Sequence, residues 1–271
     1  MTHAASTPPP QRDPTVAQAS PAAWRSWLVN LLQFGRGRLA ALGLALGLGL
    51  GVALLALYGF AVLADEVMDQ ETLQLDNAVL AALRAVQSPA LDRAARLASA
   101  FGAELLAVFL VILLGVLVWQ RRFGAAGGLL VTVVGAQLLN DVLKDWFHRT
   151  RPAPLEGLIP AQAFSFPSGH AMVAAAFYLF VGYLAWRLLT GHWRIICAAL
   201  LVLVALAIGL SRLYLGVHYF TDVVAGYIAG IAWTNAVIVG GHLLGRRRAT
   251  LSAPRTCPAA QTATAPTAPP R

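Results

Sequence analysis

The chain has 271 residues, of which 58% are hydrophobic and only 12% are charged, and its net charge is +8. Soluble domains carry about 25% charged residues, so this composition nearly excludes a soluble enzyme. The positive charge comes from arginine, because Lys144 is the only lysine, and arginine collects at the cytoplasmic flanks of membrane helices, so nucleic acid is not predicted as a partner.

The first predicted element is a membrane-spanning helix in the uncharged run 39–64, which follows a largely polar N-terminal segment at 1–38. A membrane span needs about 20 apolar residues, whereas the apolar core of a cleaved signal peptide has only about 7–15. The run is much longer than such a core. We therefore expect an uncleaved first helix.

Residues 65–100 show an amphipathic pattern instead. Apolar residues recur along one helix face from Val79 to Val86, Asp76 is placed to cap this helix, and Pro89 ends it. This pattern predicts a short helix lying at the outer membrane interface.

Five further uncharged runs reach the length of a membrane span once a few flanking residues are added. These runs are 105–120, 123–140, 171–186, 195–211 and 223–241. The pattern predicts an all-α, polytopic membrane protein with six transmembrane helices in a domain at 39–245. The basic segment after it, 246–271, is rich in Pro, Ala and Thr and is expected to be a disordered tail.

The distribution of arginine orients these helices. If all six cross the membrane, one side receives the following arginines: Arg25, Arg36, Arg38, Arg121, Arg122, Arg194 and those at 246–248. The opposite side receives acidic residues mixed with a few arginines. The positive-inside rule then predicts that both termini are cytoplasmic and that segments 65–100, 144–170 and 211–222 face outward.

Three clusters of polar residues lie in the outward segments and at the helix ends beside them. The clusters are Lys144 followed after six residues by Arg151-Pro152, then Pro167-Ser168-Gly169-His170, and finally Ser211-Arg212 followed by His218 and Asp222. Each cluster alone also fits a structural role, such as interface charges or a turn before a helix. The probability that all three clusters occur in this order by chance is negligible.

The three clusters resemble the signature of the type 2 phosphatidic acid phosphatase superfamily of integral membrane lipid phosphatases. That signature reads K-x6-RP, PSGH and SR-x5-H-x3-D, and this sequence matches every fixed position. The resemblance covers residues 100–242 strongly, although Thr150 stands where many relatives have a second proline. The sequence around two of the clusters, at 166–171 and 214–218, also resembles the bacterial branch of the family. With the orientation given by arginine, this implies a location in the cytoplasmic (inner) membrane, with the site facing the periplasm or the cell exterior.

The resemblance also implies a reaction, the hydrolysis of a lipid phosphate or pyrophosphate. The expected substrates are phosphatidic acid, phosphatidylglycerophosphate or undecaprenyl pyrophosphate. The chemistry of the residues agrees, because a transferring phosphoryl group spreads negative charge over three oxygens. The predicted phosphate ligands are Lys144, Arg151, Arg212, Ser168 and the backbone N–H of Gly169 before a helix N-terminus.

The predicted catalytic residues are His218, Asp222 and His170. Because His218 and Asp222 are four residues apart on a helix, the carboxylate can hold Nδ1–H and leave Nε2 to attack phosphorus. His170, from a different loop, can protonate the departing alkoxide and later activate water. These roles predict double displacement through a phosphohistidine.

The same residues are also compatible with three alternative interpretations. The two histidines and Asp222 could form an open zinc site, but the three cations around them would repel a divalent ion, so we predict no metal and no cofactor. A phosphotransferase with a lipid acceptor would use the same site. A lipid-phosphate transporter is a weaker alternative, because the apolar runs carry almost no polar residues. The sequence leaves the lipid headgroup and the oligomeric state open.

Overall fold

The computed structural model describes residues 47–152 and 164–251, together with Gly43, and the side chains up to residue 245. Nearly all of these residues belong to one compact unit that begins at Gly49. The described residues form helices and no strand, which confirms the all-α prediction. The predicted polar segment 1–38 and most of the predicted tail lie outside the described residues.

The described residues form eight helices, numbered here in chain order. They are α1 Gly47–Met68, α2 Leu73–Ala85, α3 Pro89–Ala100, α4 Glu104–Trp119, α5 Phe123–Phe147, α6 Gly169–Leu188, α7 His192–Tyr214 and α8 Phe220–Leu251. Several of them extend beyond the uncharged runs of the sequence, so that residues of the polar clusters lie in their first or last turns. The last helix also continues six residues past the predicted domain boundary at 245, because Arg and Ala there are good helix formers.

Among the described residues, six helical segments are long and apolar enough to cross a membrane, which agrees with the predicted number. They are α1, the α3–α4 segment Pro89–Trp119, α5, α6, α7 and the part of α8 from Phe220 to Gly245. Large apolar side chains such as Leu55, Tyr58 and Leu138 are more than 60% exposed. Such surfaces are compatible with a lipid environment and not with water. The protein is therefore an integral membrane protein.

The structure corrects the prediction for residues 65–100. Two helices form there, because α2 ends at Ala85 and Pro89 begins α3 with Ser88 as its N-cap. Asp76 does not cap α2, since the helix already begins at Leu73 and the carboxylate of Asp76 is fully buried against the start of α8. The interfacial position of these helices stays a prediction.

Helix α6 is central to the unit and contacts α5, α7 and α8. Its buried face is rich in alanine, and Ala174 and Ala176 are fully buried, which lets the neighbouring helices approach closely. Helix α8 approaches α6 closely, because a methyl group on Gly226 would lie 2.6 Å from the carbonyl oxygen of Ser168. This contact fixes the start of α8 against the start of α6.

We expect Gly226→Ala to destabilise the protein by about 1–3 kcal/mol, because the added methyl must displace backbone in a packed interface. Gly240→Ala is the matched control on the same helix, since nothing lies within 4 Å of the added methyl there. Thermal unfolding in detergent measures the difference. An unfolding midpoint of Gly226→Ala equal to or above that of Gly240→Ala would contradict the packing argument.

Candidate active site

The three polar clusters meet at one end of helices α5 to α8. Lys144 and Arg212 lie in the last turns of α5 and α7, whereas Ser168 and Asp222 lie at the starts of α6 and α8. His218 stands just before α8. Because α5 and α7 end where α6 and α8 begin, residues far apart in the sequence come to the same place.

His218 and Asp222 form a buried pair at this end. The ring Nδ1 of His218 lies 3.4 Å from Oδ2 of Asp222, and its Nε2 lies 3.2 Å from Nη1 of Arg151. These partners indicate the tautomer in which Nδ1 carries the proton and Nε2 accepts from the guanidinium. Burial lowers the pKa of His218 to about 4, although the hydrogen bond to Asp222 opposes this shift. The imidazole is therefore neutral at neutral pH.

Three cationic side chains surround this pair. Lys144, Arg151 and Arg212 are close enough for their charges to interact, and His170 interacts electrostatically with all three and with His218. Burial lowers the pKa of the Arg151 guanidinium. A bound dianion would offset the repulsion among these cations, because its negative charge attracts all three of them.

Backbone and side-chain acceptors fix two of the cations. Arg151 donates to the carbonyl oxygens of Val217 at 2.8 Å and Phe164 at 3.3 Å. Arg212 donates through Nη1 to Oγ of Ser99 on α3, at 2.6 Å. Helix α3 thus contributes to the site, although the sequence had not indicated this.

The Pro167–His170 segment forms the start of α6. The backbone N–H of Ser168 donates to the carbonyl oxygen of Asp222 at 2.9 Å, which ties this segment to α8. The Ser168 hydroxyl is fully buried and has no hydrogen-bond partner among the described residues. A helix N-terminus with an unpartnered hydroxyl is suited to an anion.

Asn140, one turn before Lys144 on α5, supports the same segment. Its Nδ2 donates to the carbonyl oxygen of Pro167 at 3.2 Å. Its Oδ1 would lie 2.8 Å from a methyl group on Gly169, so a larger residue next to Ser168 would force the Asn140 side chain to move. The sequence had not singled out Asn140. Its spacing of four residues from Lys144 was the one available signal.

Arg149 is a second residue whose role the sequence did not reveal. It lies between Lys144 and Arg151 in the first cluster, but its side chain points to Asp222 and Asp76 and pairs with both carboxylates. Its guanidinium also stacks over the ring of Tyr219, 4.4 Å from the ring centre.

The zinc alternative is tested by the same geometry. Within the two described stretches of the chain, no three His, Cys, Asp or Glu side chains are grouped so that they could hold a metal ion. The carboxylate oxygens of Asp222 accept from Arg149, from the Tyr219 backbone and from His218. Hydrogen-bond donors on both oxygens leave the carboxylate poorly suited to a cation.

Comparisons with known proteins find a family and individual relatives to which this chain is similar. A model of the PAP2 superfamily matches residues 125–244. Phosphatidylglycerophosphatase B of Bacillus subtilis is 33% identical over 178 residues, which are 64% of this chain and 86% of that protein. An undecaprenyl-diphosphatase of Sulfolobus acidocaldarius is 30% identical over 146 residues, which are 52% of this chain and 66% of that protein.

A solved structure is similar as well. The crystal structure of the transmembrane PAP2 type phosphatidylglycerolphosphate phosphatase from Bacillus subtilis matches with a TM-score of 0.65 at 28% identity. The match covers 71% of this chain and 96% of that one. The similarity therefore extends over most of this chain and nearly all of that one.

Proposed function

Since this chain belongs to the PAP2 superfamily and is a phosphatase, we propose that it hydrolyses a membrane lipid phosphate or pyrophosphate through a phosphohistidine on His218. The observation that carries this proposal is the placement of a neutral, buried imidazole between Asp222 and Arg151, beside two further cations. A neutral imidazole with a carboxylate on Nδ1 is a competent nucleophile at Nε2.

The first step forms a bond between Nε2 of His218 and phosphorus. Asp222 accepts from Nδ1–H and stabilises the positive charge that develops on the ring. Lys144, Arg151 and Arg212, with the Ser168 hydroxyl and the Gly169 N–H, hold the three phosphoryl oxygens. Such preorganised donors stabilise the charge of the transition state. The bond from phosphorus to the leaving oxygen breaks, and His170 gives that oxygen its proton.

The second step returns the enzyme to its starting state. Water attacks the phosphorus of phospho-His218 while His170, now neutral, takes a proton from it. Inorganic phosphate leaves, and the imidazole of His218 is restored. Each histidine thus ends the cycle in the protonation state in which it began.

The substrate class follows from the family and from the apolar surface of the site's helices. We propose phosphatidic acid, phosphatidylglycerophosphate or undecaprenyl pyrophosphate as substrates. The test is phosphate release by purified protein in detergent over these three lipids, with His218→Ala as background. Release of inorganic phosphate without any added acceptor supports hydrolysis, and no release from any of them would overturn the proposal. Transfer of the phosphate to an added acceptor lipid, with no inorganic phosphate released, would favour a phosphotransferase.

We further propose that the protein lies in the bacterial inner membrane with the site on the outer side. Arg121 and Arg122 follow α4, at the opposite end of α5 from Lys144. A topology reporter fused near Ser88 or Glu156 should therefore be extracytoplasmic, and one near Arg122 cytoplasmic. The reverse pattern would place the site inside the cell and remove the argument for an outward-facing reaction.

The cation cluster predicts the response to inhibitors. If three cationic side chains act in place of a metal, millimolar chelator should leave turnover intact. Vanadate should inhibit, because it adopts the trigonal-bipyramidal geometry of the transferring phosphoryl group. Loss of turnover on chelation, restored by one divalent ion, would return the zinc alternative to favour.

A further inference from the structure

The carboxylate of Asp222 is held by Arg149 and Asp76, two residues that the phosphatase signature does not contain. We propose that Arg149 and Asp76 are positioning residues, which fix the carboxylate of Asp222 so that Oδ2 faces Nδ1 of His218. This inference rests on the proposed role of His218 as the nucleophile. Neither residue is assigned a contact with phosphate.

The guanidinium of Arg149 joins two carboxylates. Its Nη1 lies 2.6 Å from Oδ1 of Asp222, and its Nη2 lies 2.7 Å from Oδ2 of Asp76. Both carboxylates are fully buried, and the Arg149 side chain is only 11% exposed. The planar fork of arginine suits this geometry, because its two terminal nitrogens point in fixed directions.

Thr221 completes the connection between α2 and α8. Its backbone N–H donates to Oδ1 of Asp76 at 2.9 Å, and its hydroxyl donates to Oδ2 of Asp76 at 2.7 Å. The same hydroxyl accepts from Nη1 of Arg149 at 2.9 Å. Asp76 therefore anchors Arg149 and the residue next to Asp222 at the same time.

These contacts prevent the carboxylate of Asp222 from rotating. Arg149 occupies Oδ1, whereas the Tyr219 backbone N–H and His218 share Oδ2. Without Arg149, a buried oxygen would lack a donor, and the carboxylate could rotate away from the imidazole. Asp76 also offsets the charge of Arg149, which would otherwise add to the three cations already near His218 and Asp222.

This arrangement predicts an effect on the chemical step and not on binding. In Arg149→Ala, Arg149→Lys and Asp76→Asn, kcat should fall about 10- to 100-fold, as is usual for outer partners that orient a functional side chain. KM should stay near the wild-type value, since the phosphate ligands are untouched. The assay uses an aryl phosphate, and the rate of phosphohistidine formation in a single turnover should fall in parallel with kcat.

Chemical rescue separates positioning from general damage to the fold. Arg149 borders a cavity of about 460 Å³ together with Phe147, His148 and Tyr219, which gives a small cation access to the vacated place. Millimolar guanidinium should therefore raise kcat of Arg149→Ala. It should not raise kcat of Arg187→Ala, the control in the last turn of α6, at the far end of that helix from His170.

Two results would overturn this inference: wild-type kcat in the Arg149 and Asp76 variants, or a raised KM with unchanged kcat. If those variants do not fold, Thr221→Val tests the inference instead, because it removes the hydroxyl that contacts Arg149 and Asp76 and keeps every charge. A lowered kcat in Thr221→Val supports the inference, and an unchanged kcat overturns it. Turnover by His218→Ala would instead overturn the proposed function, so the two failures are distinguishable.

Discussion

His218→Ala is expected to lose turnover by several orders of magnitude with every substrate, whatever the leaving group. The variant lacks the atom that attacks phosphorus, and no other described side chain is placed to replace Nε2. The measurement is phosphate release from a lipid phosphate and from an aryl phosphate, with a search for labelled phosphoenzyme. The variant should form none.

The matched control for this experiment is His242→Ala. His242 lies near the other end of α8, where its ring contacts Tyr183, so its loss should leave turnover unchanged. Asp222→Asn should lie between the two variants, because it misorients the imidazole of His218 without removing it. Turnover of His218→Ala close to that of His242→Ala would show that the nucleophile is another group.

His170→Ala is expected to separate two kinds of substrate. A lipid alkoxide is a poor leaving group and needs a proton as it departs, whereas a nitrophenolate hardly does. General acid catalysis is typically worth about 10²–10⁴-fold, so lipid turnover should fall by that factor. The first step with an aryl phosphate should be nearly unaffected.

The same variant tests the second step. If His170 also activates the resolving water, labelled phosphohistidine should accumulate when His170→Ala is given an aryl phosphate. Alkaline denaturation before analysis preserves the N–P bond of the intermediate. Equal losses with lipid and aryl substrates, with no trapped intermediate, would mean that the acid and base roles belong to another residue.

The positioning pair and the general acid predict different kinetic patterns. Arg149 acts through Asp222 on the attack by His218, so its variants should lose aryl and lipid turnover equally. His170→Ala should slow the first step selectively with the lipid, whereas its second step should be slow with both substrates. Comparing the two series on the same pair of substrates therefore assigns each residue to one side of the phosphoryl group.

The sequence by itself determined the membrane architecture, because hydropathy is a local property of each run. The number of membrane-spanning segments followed from runs such as 123–140 and 171–186, and the structure has the same six. The identities of the eight predicted site residues came from short spacings within three clusters. The structure brings all three clusters to one end of the helices, and the catalytic and binding roles stay predictions.

The role of Asp76 was decided only by the tertiary structure. Its position before an amphipathic stretch fits the local rule for a helix cap, and that rule gave the wrong assignment. The carboxylate instead pairs with Arg149, 73 residues away, and with Thr221, 145 residues away. A buried charge needs a partner wherever the fold supplies one, and no local pattern reports which helix will bring it.

The close packing at the site was also decided by the tertiary structure. A sequence-based rule does not distinguish Gly226 from Gly169, yet each is in close contact with a different neighbour, the Ser168 carbonyl and the Asn140 side chain. Local sequence sets which segments are helical and apolar. The distances between their polar ends depend on how closely the helix faces pack, and those distances place Arg149 between two carboxylates.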